Sequence, residues 1–145
     1  MDKKIFALIV VVCAAILTSL LAYLYYLPLA TAEYDMHVYV GDKIGFNLDT
    51  DKLWFGIIPP GAGGSRNMSI SNNYDVPIKV RLAASGDLAK WVGISNETTN
   101  PFILQPNETK NVKIIINIPS YLNKSNITGY DGELTAYSYR IFSFP

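Results

Sequence analysis

Asn111-Val112-Lys113-Ile114-Ile115-Ile116-Asn117-Ile118 places an apolar residue at every second position. That period of two puts Val112, Ile114, Ile116 and Ile118 on one side of an extended chain and Asn111, Lys113 and Asn117 on the other, with Ile115 the exception. The segment is therefore read as a half-buried strand. The same pattern recurs upstream. Met68 and Ile70 alternate with polar residues in Arg66 to Ser71, and Val80 and Leu82 sit between Lys79, Arg81 and Ala83. Gly, Pro, Asn and Asp punctuate these runs, as turns require. Strands are expected at Met36 to Val40, Ile44 to Leu48, Leu53 to Phe55, Arg66 to Ser71, Ile78 to Ala84, Val92 to Ser95, Phe102 to Leu104, Asn111 to Ile118 and Glu133 to Phe142. This many short strands, with helix confined to a single turn at Gly86 to Lys90, implies an all-β sandwich of about 7 to 9 strands around one core. Trp91, followed by Val92 and Ile94, is expected to plug that core.

The first part of the chain obeys different rules. Ile5 to Leu29 runs for 25 residues without a charge, and at about 1.5 Å per residue it is long enough to cross a bilayer core of about 30 Å. Lys3 and Lys4 precede it and Glu33 and Asp35 follow it, which keeps the lysines in the cytoplasm and sends the rest outward. Tyr23, Tyr25 and Tyr26 suit the outer headgroup level, and Pro28 helps end the helix. Ala30-Thr31-Ala32 has the small residues of a signal cleavage site, but the apolar run is far longer than a secretory core of about 7 to 15 residues. An uncleaved anchor is expected. Cys13 lies within the run, where Val12 replaces the small residue that a lipoprotein signal needs, so it reads as an apolar helix residue. The organisation is thus residues 1–4 as a cytoplasmic tip, 5–29 as a transmembrane helix, 30–35 as a linker and 36–145 as an extracytoplasmic domain. At about 3.3 Å per residue that linker would hold the domain within roughly 20 Å of the bilayer.

From Glu33 onward the chain carries ten basic and eleven acidic residues and no cysteine. A balanced surface of this kind points away from nucleic acid, and the domain has no disulfide framework to lean on.

A further set of motifs bears on the fold. Leu53-Trp54-Phe55-Gly56-Ile57-Ile58-Pro59-Pro60-Gly61, Arg66 to Asn72, Pro77-Ile78, Phe102-Ile103-Leu104-Gln105-Pro106-Asn107, Val112 to Ile116 and Gly129 to Leu134 occur in this order. The succession of a Phe-Gly strand, a Pro-Gly turn, a strand ending in Asn and a turn before a long strand resembles the immunoglobulin-like sandwiches of the ASPM/SPD-2/hydin and major-sperm-protein type. The resemblance spans Gly45 to Arg140 and implies an immunoglobulin-like β-sandwich. Relatives of that kind are often cytoplasmic, whereas this chain, with its anchor and sequons, is similar to single-span archaeal envelope proteins. Gly56 is expected to end its strand at a bend, and Gly61, Gly63 and Gly64 to shape a turn. The Lys-Ser/Thr of a phosphate loop does not follow those glycines.

Residues for chemistry are sparse. His37 is the single histidine and is expected at the surface, so no catalytic, metal or cofactor site is expected and the chain reads as a non-enzyme. Asp42, Asp49 and Asp51 are the nearest approach to a calcium site, but turn carboxylates explain them better. Five Asn-x-Ser/Thr sequons, at Asn67, Asn96, Asn107, Asn123 and Asn126, are glycosylation candidates. In the closing strand Thr135, Tyr137, Tyr139 and Ile141 share one side, and together with Trp54 and Tyr74 the two tyrosines are interaction candidates.

The expected partners are the lipid bilayer through residues 5–29 and another envelope protein or a second copy, with no small-molecule substrate. An accessory or bushing subunit of a surface filament is the alternative. The pair that follows Lys4, Ile5-Phe6, is not a pilin-type processing site, which would make the chain a holder rather than a filament subunit. An exported hydrolase would need a convergent acid, base and nucleophile.

Overall fold

The structure is a computed structural model and describes residues 2–42, 52–95, 98–122 and 127–141. Helix α1 spans Lys3–Tyr26. Asp2 caps it, its carboxylate accepting the Lys4 N–H at 3.3 Å. At the other end Leu27 turns extended while its N–H still reaches the Tyr23 carbonyl at 3.2 Å, and Pro28 cannot continue the helical bonding. No residue of α1 is buried against the rest of the protein. The two aliphatic hydroxyls in its middle are nonetheless satisfied internally, Thr18 donating to the Ala14 and Ala15 carbonyls and Ser19 to that of Ala15. A helix so apolar, with Thr18 and Ser19 turned back on its own backbone, is long and apolar enough to cross a membrane.

The remainder is β-rich and sandwich-like. Strands β1 (Ala30–Val40), β2 (Leu53–Ile58), β3 (Gly63–Ser71), β4 (Ile78–Gly86), β5 (Val92–Ile94), β6 (Phe102–Leu104), β7 (Thr109–Asn117) and β8 (Thr128–Arg140) build two sheets. One has the order β2-β1-β8-β4-β6 and the other β3-β7-β5. All pairs are antiparallel except β1 with β2, which are parallel. The core lies between the sheets. Met36, Val38, Ile78, Val80, Leu82, Leu134 and Ala136 face Met68, Ile70, Val112, Ile114 and Ile116. Ile114 and Ile116 are fully buried and Ile115 is not, as the alternation in β7 requires. Trp91 closes one end of the core, its ring edge-on to Tyr130 at 4.8 Å, beside Leu88 from the single 3-10 turn Asp87–Lys90.

Two features differ from the sequence reading. Ala30 to Asp35 is not a linker: it is the first half of β1, paired residue by residue with Ser138 to Glu133 of β8. Its neighbour β2 pairs only from Met36 onward, so four of these six residues stay exposed and carry no burial periodicity. Only Leu27, Pro28 and Leu29 separate α1 from the sandwich. Gly56 lies inside β2, not at its end. Its φ of 80° accommodates a bulge where the register with β1 shifts between His37 and Tyr39, a conformation that other residues adopt only with strain. The closing strand β8 runs between β1 and β4. The expected strand at Ile44 to Leu48, and Phe142, lie outside the described residues.

Candidate interaction surfaces

The outer face of the five-stranded sheet is built from the residues that alternate with the core. In β4 these are Lys79 and Arg81, and in β8 Tyr137 and Tyr139. Register sets Lys79 opposite Tyr139 and Arg81 opposite Tyr137, while Thr31 of β1 flanks Tyr137 on the other side. Both tyrosines are half-buried, so each lends a ring to the face and neither offers a free backbone edge. Beyond β4 the exposed Ile103 of β6 lies opposite Lys79. Asn100 extends that edge: its amide oxygen accepts the Leu82 N–H at 3.0 Å and its amide nitrogen donates to the Leu82 carbonyl at 2.9 Å, imitating a strand neighbour.

Because only three residues separate α1 from β1, this end of the sheet meets the end of the helix. A cleft of about 660 Å³ opens there, lined by Tyr25 and Tyr26 of α1, Lys79 and Arg81 of β4, Tyr139 and Arg140 of β8, and the Asn100-Pro101 wall. Tyr25 and Tyr26, among the residues that line it, pack edge to face at 5.4 Å. Arg140 also borders a second hollow against Leu24, Leu27, Pro28 and Leu29. The sequence reading marked Tyr139 but missed the three cations. Lys79 and Arg81 were visible as the polar partners of Val80 and Leu82, yet nothing in sequence joins them to Tyr25, more than fifty residues away.

The far end of the same face holds His37. It is not a free surface histidine: its side chain is only 19% exposed, and its Nδ1 bonds the Asp131 carboxylate at 2.5 Å from across the β1/β8 pair. Tyr39 and Trp54 pack on the imidazole, at 4.5 Å and 5.8 Å between ring centres. Trp54, an interaction candidate, is therefore engaged with His37 and with Lys52, whose ammonium sits 5.3 Å from its ring. Lys52 also lies 3.7 Å from Asp35. Asp35, His37, Lys52, Trp54 and Asp131 line a cavity of about 370 Å³, to which they bring one imidazole, two carboxylates and an ammonium, and among the described residues neither hydroxyl nor thiol lines it. His37 Nε2 is buried and has no partner among the described residues. No three His, Cys, Asp or Glu side chains are grouped so that they could hold a metal ion among the described residues. Asp42 is exposed after β1, and Asp49 and Asp51 lie outside the described residues.

The outer face of the three-stranded sheet is polar. Ser69 donates to the Asn111 side chain at 2.7 Å, and the Ser71 and Thr109 hydroxyls pair at 2.8 Å. Asn67 is exposed at mid-strand on this face, opposite Lys113, so its amide is open to a glycan. Asn107 is exposed in the turn before β7 with φ of 60°. Asn96, Asn123 and Asn126 lie outside the described residues. Strand β3 is the long edge of this sheet, with nine residues and β7 as its single hydrogen-bonded neighbour. Between β3 and β4, Tyr74 is partly exposed, its N–H held by the Asn72 side chain at 3.0 Å, and it stands apart from the tyrosines of β8. The four interaction candidates thus divide among three places. No family model, no curated protein and no solved structure matches the chain.

Proposed function

We propose that this chain is a non-catalytic cell-envelope protein in which α1 spans the membrane with its lysines in the cytoplasm, and the immunoglobulin-like sandwich binds or positions another envelope protein outside. The observation that carries this reading is the junction. An apolar helix with no buried residue leads through only Leu27, Pro28 and Leu29 into β1 of the five-stranded sheet, a connection short enough to hold the sandwich against the bilayer surface. Ala30 to Ala32 are backbone-paired to β8, which supports an anchor that stays attached over one cleaved at that point. The preferred partner contact is the β3 edge. A long edge strand with exposed Ser65, Asn67, Ser69 and Ser71 offers unpaired backbone to an added strand without an apolar surface that would drive self-aggregation. Lysine on such an edge blocks strand addition.

The test is affinity capture of the full-length protein from detergent-solubilised membranes, wild type beside Ser65→Lys/Ser69→Lys, with mass spectrometry of what co-purifies. The proposal expects a stoichiometric envelope protein, or a second copy of this chain, that the variant loses while its circular dichroism is unchanged. The same partners retained on the variant would remove the edge from the account.

A further inference from the structure

The cleft between α1 and the five-stranded sheet combines features that are otherwise unrelated to strand addition. Tyr25 and Tyr26 close a membrane-spanning length of helix, where aromatic rings settle at the headgroup level. Lys79, Arg81 and Arg140 converge on the same cleft, and no acidic residue lines it among the described residues. Neither Lys79 nor Arg81 forms an ion pair among the described residues. Two cations two residues apart on one strand, with tyrosines directly opposite both, would repel each other in isolation and welcome a shared anion. The volume of about 660 Å³ falls in the range of small-molecule sites, about 300 to 1,000 Å³.

We propose that this cleft holds the phosphate of an anionic lipid headgroup drawn from the leaflet in which the helix ends. Arg81 and Lys79 contact the phosphate oxygens, Arg140 guards the side nearer the acyl region, and the Tyr139 ring covers the glycerol. The inference rests on α1 spanning the bilayer, and it explains why the aromatic and basic residues of β4 and β8 gather at the end of the sheet beside the helix. A free phosphate ion shares the charge but not the position, because the adjoining hollow, which shares Tyr25 and Arg140 with the cleft, adds Leu24, Leu27, Pro28 and Leu29 as an apolar side for a lipid chain.

The full-length protein in nanodiscs of phosphatidylcholine with a graded fraction of phosphatidylglycerol provides the test, by native mass spectrometry of the lipids that stay bound on release. Wild type is expected to retain phosphatidylglycerol preferentially. Lys79→Ala should lower that preference about fivefold and Lys79→Ala/Arg81→Ala about 25-fold, the worth of roughly one surface cation each. The exchange Lys79→Arg/Arg81→Lys should preserve it within about twofold, since charge is kept. All three variants change exposed side chains and should share the wild-type circular dichroism.

Equal retention of the two lipids, or a preference indifferent to the alanines, overturns the proposal. Displacement of phosphatidylglycerol by millimolar inorganic phosphate would also overturn it, by assigning the cleft to a free anion. Carbonate extraction of the same membranes separates the two levels. Protein that resists extraction yet shows no lipid preference sinks the cleft alone, and protein released by carbonate sinks the spanning helix along with it.

Discussion

Replacing Asn72 with Ala removes a side chain that is fully buried and that joins three segments of the sandwich. Its amide nitrogen donates to the Val76, Leu104 and Gln105 carbonyls at 2.9, 3.2 and 3.0 Å, and its oxygen accepts the Tyr74 N–H at 3.0 Å. Its backbone adds bonds to Glu108 and Asn107. The β3 end is thereby tied to the end of β6 and to the turn before β7. Alanine leaves one donor and three acceptors short of a partner. With about 1 kcal/mol for each net hydrogen bond and more for a group left dry, the expected loss is about 3 kcal/mol. Asn72→Asp tests the direction of the bonds. It keeps an acceptor for Tyr74 but turns the donor into a buried anion aimed at three carbonyls, so it should cost more than alanine, about 4 kcal/mol. Urea unfolding of the full chain in detergent, followed by Trp fluorescence, measures both. Losses below about 1 kcal/mol, or an aspartate milder than alanine, would refute the assigned network.

Three further outcomes follow from the packing. Ile114→Ala, at a fully buried position in the middle strand of its sheet, should cost about 3 kcal/mol in the same assay. Gly132→Ala would place a Cβ 2.8 Å from the Ser85 carbonyl oxygen and 2.9 Å from Leu88 Cβ, so the β4/β8 pair must part, at a cost of about 2 kcal/mol read as a lower urea midpoint. Asn67→Gln is expected to increase electrophoretic mobility by the mass of one glycan, since the amide stands open on the polar sheet, and an unchanged band on the native host's protein would show that sequon unused.

Strand β7 was legible because its residues are sorted by burial along the chain. The sandwich-like architecture followed from repeating that reading at β3 and β4, and Asn72 stood out as the end of its strand before its bonds were known. The first half of β1 was not legible. Thr31, Ala32, Glu33 and Asp35 face solvent and have β8 on one side only, so their extended form comes from pairing and not from any pattern of their own. Likewise the order of strands in a sheet depends on partners distant in sequence, which is why the chain's last strand sits beside its first instead of at a border. His37 looked like a surface residue because aromatic cover from Tyr39 and Trp54 and the Asp131 carboxylate arrive from two other strands as well as its own. The basic cleft was hidden for the same reason, being shared among α1, β4 and β8.

The central claim is a sandwich held outside the cytoplasm by α1, and labelling of intact cells tests it most directly. Cys13 lies in α1, so a Cys13→Ala background with Ser65→Cys places one thiol on the exposed edge strand β3. A membrane-impermeant maleimide should label this protein on intact cells as fully as after permeabilisation, while the protein stays in the carbonate-washed membrane fraction. Labelling that appears only after permeabilisation would contradict the account.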